Sequence, residues 1–126
     1  MPLTSAEGLS NPEAGHLVRS ILTCLDDSKA ENIVSIDLHG KTTLADAMVI
    51  ATGRSNIHVG AIADRLIGTL KTHQPVAPRV EGLQNCDWVL VDAGDVIIHI
   101  FRPEVRQFYN LEKMWGANRP GERDLG

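Results

Sequence analysis

The chain has 126 residues, 43% of them hydrophobic and 22% charged, the proportions of a globular protein long enough to bury one core of its own. Twelve Lys and Arg against sixteen Asp and Glu give a formal charge of −4, which argues against backbone-driven nucleic-acid binding, since that needs clustered cations to displace counterions. No apolar run reaches the length of a membrane span, and the opening MPLTSAEGLSNPEAG lacks the basic and apolar regions of a secretion signal and the arginines of a transit peptide, so a cytoplasmic protein is expected.

Residues 1–10 read as a flexible leader. Asn11-Pro12-Glu13 is a helix start, with Asn as N-cap, Pro at the first helical position and Glu in the first turn. Leu17, Val18, Ile21, Leu22 and Leu25 then recur at helical spacing as one apolar stripe. Ile33–Leu38 is a strand whose Val34, Ile36 and Leu38 line the expected core side. After the turn His39-Gly40-Lys41, Ala47–Thr52 is apolar enough throughout to be central in a sheet. Gly53-Arg54-Ser55-Asn56 feeds a helix from about Ile57 to Thr72, with the stripe Val59, Ile62, Ala63, Leu66, Ile67 and Leu70. A loop at His73–Pro78 leads to a short strand, Arg79-Val80-Glu81, that ends before Gly82.

Trp88–Val91 and Val96–Phe101 flank Asp92-Ala93-Gly94-Asp95, a hairpin signal. A loop of Ala93-Gly94 sets Asp92 opposite Asp95, Leu90 opposite Ile97 and Trp88 opposite His99, provided Ala93 accepts a positive φ. Alternation then divides the hairpin into two faces. Val89, Val91, Val96, Ile98 and Ile100 make an apolar face, and Trp88, Leu90, Asp92, Asp95, Ile97, His99 and Phe101 a mixed one. A Pro-initiated helix, Glu104–Met114, carries Val105, Phe108, Leu111 and Trp115 on its core stripe, with Tyr109 and Glu112 on its flank. Residues 117–126, rich in Gly, Pro and charge, read as a flexible tail. One domain over residues 11–116 is therefore expected.

The order α-β-β-α-β-β-β-α predicts a two-layer α/β sandwich: a mixed five-stranded sheet with helices mainly on one face. Three helices cannot cover both sides of such a sheet, so one face, wholly or in part, is left for water or a partner. The mixed hairpin face is the candidate. Trp88 reads either as packing beneath a helix or as a binding anchor, and its neighbours Asp92, Asp95 and His99 favour the anchor. The candidate partner-binding set is Trp88, Leu90, Asp92, Asp95, Ile97, His99 and Tyr109.

Other chemistry is less well supported. Asp92 and Asp95 as neighbouring carboxylates suit Mg²⁺ or acid–base work, but Asp is also simply favoured at turns. Thr52-Gly53-Arg54-Ser55 precedes a helix N-terminus, which attracts anions, yet the P-loop spacing is absent and Ser55 is better read as an N-cap. The histidines at 16, 39, 58, 73 and 99 have no HxxxH or HExxH spacing, so no metal is expected, and no cofactor either. Cys24 and Cys86, far apart, suit reduced thiols rather than a disulfide framework.

The segment DWVLVDAGDVIIHIF…PEVRQFYNLEKMW resembles the signature of the Iojap family, the ribosomal silencing factors. Ile36-Asp37-Leu38 through Thr43, Ala45-Asp46-Ala47-Met48-Val49-Ile50-Ala51-Thr52-Gly53, Ser55-Asn56, His58-Val59 and Ala61-Ile62-Ala63-Asp64 resemble the rest of its pattern, in order, from about Leu17 to Trp115. The resemblance implies a fold similar to a minimal nucleotidyltransferase core. It implies a non-enzymatic factor that binds the large ribosomal subunit through that subunit's protein fourteen, blocks joining of the small subunit and represses translation. It also implies that the sheet surface bearing Trp88 makes the contact; direct sequence-specific nucleic-acid binding is not expected, on the charge of −4 and the scattered cations. Two readings stand beside it: a minimal nucleotidyltransferase-like enzyme using Asp92 and Asp95, and a homodimer that buries the Trp88 face.

Overall fold

A computed structural model describes residues 12–38, 45–74 and 76–105. The leader, Asn11, the turn at His39-Gly40-Lys41, the last helix beyond Val105 with Phe108, Tyr109, Leu111, Glu112 and Trp115, and the tail lie outside the described residues. The elements are α1 (Pro12–Asp27), β1 (Glu31–Asp37), β2 (Ala47–Thr52), α2 (Asn56–His73), β3 (Arg79–Glu81), β4 (Trp88–Asp92) and β5 (Val96–Phe101). Pro103 to Val105 begin a further helical turn. Three predicted strands, Ala47–Thr52, Arg79–Glu81 and Val96–Phe101, have the predicted bounds.

The sheet is mixed, in the order β1-β2-β5-β4-β3. At its centre β2 and β5 run parallel, Ala47 opposite Val96 through Thr52 opposite Phe101. β1 on β2, β4 on β5 and β3 on β4 are antiparallel. β2 is buried along its whole length, as the apolar run Ala47–Ala51 suits a strand covered on both faces.

Both helices lie on one face of this sheet. The stripe of α1 (Val18, Ile21, Leu25) and that of α2 (Val59, Ile62, Ala63, Leu66, Leu70) pack with Ala47, Val49 and Ala51 of β2, Val89 and Val91 of β4, and Val96, Ile98 and Ile100 of β5. Burying each large aliphatic side chain here contributes about 1.5–3 kcal/mol, several times its helix propensity, so burial of the stripes is what fixes the two helices. α1 ends in a Schellman motif: Ala30 N–H donates to Leu25 O and Lys29 N–H to Asp26 O, each at 3.0 Å. Lys29 sits at φ 67°, where glycine is usual.

The other face carries a second apolar cluster, Ile36, Leu38, Ala45, Met48, Ile50 and Phe101, with Val34, Trp88, Ile97 and Val105 packed at its margin. The expected core side of β1 is therefore buried, but on the face opposite α1 and α2. Ile33, its off-face neighbour, touches the helix-side core instead. Among the described residues no helix is long and apolar enough to cross a membrane.

Candidate partner-binding face

The hairpin turn differs from its predicted form. Ala93 N–H donates to Val96 O at 2.9 Å, so the loop is Gly94-Asp95, not Ala93-Gly94. Trp88 pairs with Phe101, Leu90 with His99 and Asp92 with Ile97; the expected pairs Asp92–Asp95, Leu90–Ile97 and Trp88–His99 do not form. The cause is the residue that bears the positive φ. Gly94 takes φ 90° at the first loop position, as a Gly-X hairpin loop requires, and Ala93 is spared a left-handed backbone. The register moves by two residues, an even number, so every side chain in the two strands keeps its predicted face, while Asp95 passes into the loop.

Asp92 caps this turn, its Oδ1 accepting Gly94 N–H at 2.9 Å. Asp95 is exposed at the tip, and its carbonyl accepts from Asp46 N–H at 2.8 Å and Ala47 N–H at 3.2 Å, tying the tip to the start of β2. The two aspartates therefore have separate positions in the turn, one capping it and one projecting from it. Among the described residues no three His, Cys, Asp or Glu side chains are grouped to hold a metal ion.

Trp88, Leu90, Asp92 and Ile97 are half-buried on the face opposite α1 and α2. Trp88 meets the edge of Phe101, with ring centroids 5.0 Å apart at 61°, and its Nε1–H donates to His99 Nδ1 at 2.9 Å. That contact runs diagonally across the ladder, within reach of long aromatic side chains. His99 is only 6% exposed and stacks on Phe101 at 5.8 Å and 21°. Desolvation by burial lowers its pKa from 6.5 to about 4, so the ring is neutral near pH 7; with Nδ1 accepting, its proton resides on Nε2. Tyr109, the remaining member of the candidate set, lies outside the described residues.

A clamp at the open end of the hairpin was not legible in the sequence. Asp87 Oδ1 accepts from Arg102 Nε at 2.9 Å and from Asn56 Nδ2 at 2.9 Å, while Arg102 N–H donates to Asp87 O at 3.0 Å. Asn56 also donates to Asn85 O at 2.8 Å, so the first turn of α2 holds the strand entry that carries Trp88. Gly82 ends β3 at φ 92°, and a Cβ there would come 2.1 Å from Trp88 O. Only glycine permits β4 to pass so close.

At the other candidate, Ser55 is the N-cap of α2, its Oγ accepting His58 N–H at 3.1 Å. Gly53 N–H donates to Phe101 O at 2.8 Å and Arg54 N–H to His58 Nδ1 at 2.9 Å. The Arg54 guanidinium meets Glu31 at 3.2 Å. The Gly53, Arg54 and His58 N–H groups are thus engaged within the protein, in keeping with Ser55 as a cap. Cys24 is a buried free thiol and Cys86 a half-buried one, in keeping with the expectation of reduced cysteines.

The sequence profile described as "Ribosomal silencing factor during starvation" matches residues 11–125. The chain belongs to the ribosomal silencing factor family. It is 52% identical over 100 residues to the ribosomal silencing factor of Zymomonas mobilis, covering 79% of this chain and 75% of that one. The mitochondrial Iojap-related protein of Arabidopsis thaliana is 34% identical over 94% of this chain and 66% of its own. A crystal structure of a Chromobacterium violaceum protein superimposes with a TM-score of 0.78 at 35% identity, covering 87% of this chain and 92% of that one. Membership in the silencing-factor family places this face in a regulator of translation with a ribosomal partner.

Proposed function

We propose that this chain is a non-enzymatic factor of the cytoplasm that docks on the large ribosomal subunit through its protein fourteen, and that the docked factor excludes the small subunit. The observation that carries the reading is a half-buried tryptophan on the sheet face opposite α1 and α2, in line along β4 with half-buried Leu90 and Asp92, while Asp95 is exposed at the turn end of the same hairpin. Aromatic anchors ringed by polar residues are the usual composition of a binding hot spot. Asp95, at the exposed tip, and Asp92 steer the factor toward a basic partner. Blocking subunit joining then needs no chemistry, only occupancy of the contact surface.

The test is co-sedimentation with purified large subunits. Trp88→Ala weakens binding by about 2 kcal/mol, on the order of thirtyfold, with circular dichroism confirming that the variant is folded. Asp95→Lys, at a position where the side chain has no packing role, slows association at low salt. Wild-type protein lowers the light-scattering signal of subunit joining, and Trp88→Ala does so only at higher concentration. A folded Trp88→Ala variant that co-sediments as the wild type does would remove this face from the interface.

A further inference from the structure

A tryptophan at an interface usually offers two things, a large apolar ring and an N–H that seeks an acceptor. Here the second is already spent inside the protein. The Nε1–H of Trp88 is 2.9 Å from His99 Nδ1, and His99, at 6% exposure, is too enclosed to be a contact residue itself. The imidazole is held on all sides that matter. It stands between Ile50 of β2 and Leu90 of β4 in the ladders and lies on the ring of Phe101, which is fully buried. Phe101 in turn meets the indole edge-on. Three rings therefore fix one another, and of the three only Trp88 is more than slightly exposed.

We infer that His99 is the positioning residue of the docking face: it holds the Trp88 indole in one orientation and satisfies its N–H, so that the partner recognises the ring through apolar contact alone. The inference rests on the docking reading above and adds the chemistry of the partner site, an apolar pocket that needs no hydrogen-bond acceptor for the indole. The lock also removes rotamer freedom from the anchor before binding, a cost that association otherwise bears. Leucine at position 99 fills the space but accepts no hydrogen bond. Asparagine restores an acceptor near the place of Nδ1.

The experiment combines amide and indole NMR of the full chain with dissociation constants for large subunits. Trp88 and Trp115 are the two tryptophans, so the indole signal absent from Trp88→Phe identifies that of Trp88. In His99→Leu this signal shifts and its exchange with solvent accelerates, and in His99→Asn it returns toward the wild-type position. His99→Leu weakens subunit binding about tenfold, and His99→Asn recovers most of the loss. In a Trp88→Phe background, which has no indole N–H to hold, His99→Leu has no further effect. An unshifted indole signal in His99→Leu overturns the inference, as does an equal loss of affinity with and without the Trp88→Phe change. If Trp88→Ala binds subunits normally, the docking reading fails, and the signal of the free protein still decides whether the lock exists.

Discussion

Acidification tests the buried histidine directly. The folded protein holds His99 at about 4 against an ordinary 6.5, so between those values the unfolded chain binds a proton that the folded one refuses. The stability linked to this group is present in full above the unfolded value and is lost as pH falls toward the folded one. A displacement of that size corresponds to about 3 kcal/mol in total, of which about 2 kcal/mol is lost between about pH 7 and about pH 5. For a chain of this length that is a fall in Tm of very roughly 5–10 °C. Urea unfolding of wild type and His99→Asn at both pH values isolates it, because carboxylates titrate alike in the two proteins and cancel in the comparison. The wild type loses about 2 kcal/mol more than the variant over this interval. Equal losses in the two proteins would show that His99 is not held neutral by burial, and the donor–acceptor pairing with Trp88 would lose its basis.

Two backbone predictions follow from positive-φ positions. Gly82→Ala sets a methyl against the Trp88 carbonyl, where a Cβ would stand 2.1 Å away; the strain costs more than about 2 kcal/mol, seen as a lower urea midpoint, and alters the near-UV dichroism of the tryptophan. Lys29→Gly relieves a left-handed residue at the end of α1 and raises stability by about 0.5–1 kcal/mol in the same unfolding assay, with no change in subunit binding.

What the sequence disclosed is set by how local each cause is. An apolar run marked β2, alternation about a turn marked β5, three-and-four spacing marked both helical stripes, and Ser55 just ahead of the α2 stripe marked a cap. Each of these is decided within a few positions. The hairpin register was decided by one choice between Ala93 and Gly94 for the strained position, and the parity of the error left the faces intact. The clamp of Asn56, Asp87 and Arg102 joins residues far apart in the chain, so no spacing reveals it. The Trp88–His99 bond was hidden for another reason: the correct register makes these residues diagonal neighbours, and direct pairing was the natural expectation. The mixed face was recognised, but the cluster of Ile36, Leu38, Met48, Ile50 and Phe101 beneath its margin depends on which strands meet, and that is a property of the sheet order.

That order also has a consequence for how the chain is made. β2 finds its parallel neighbour β5 only after the whole of α2, β3 and β4 has been synthesised, and Met48 waits for Ile97. Until then the nascent chain holds α1, β1, β2 and α2 with the largely apolar β2 open along one edge, a template for pairing with another chain. The β4–β5 hairpin, by contrast, can close from local contacts with Gly94 at its turn. Docking of this preformed hairpin against β2 is then the late, slow event, since this parallel pairing spans the longest intervening segment of any strand pair in the sheet.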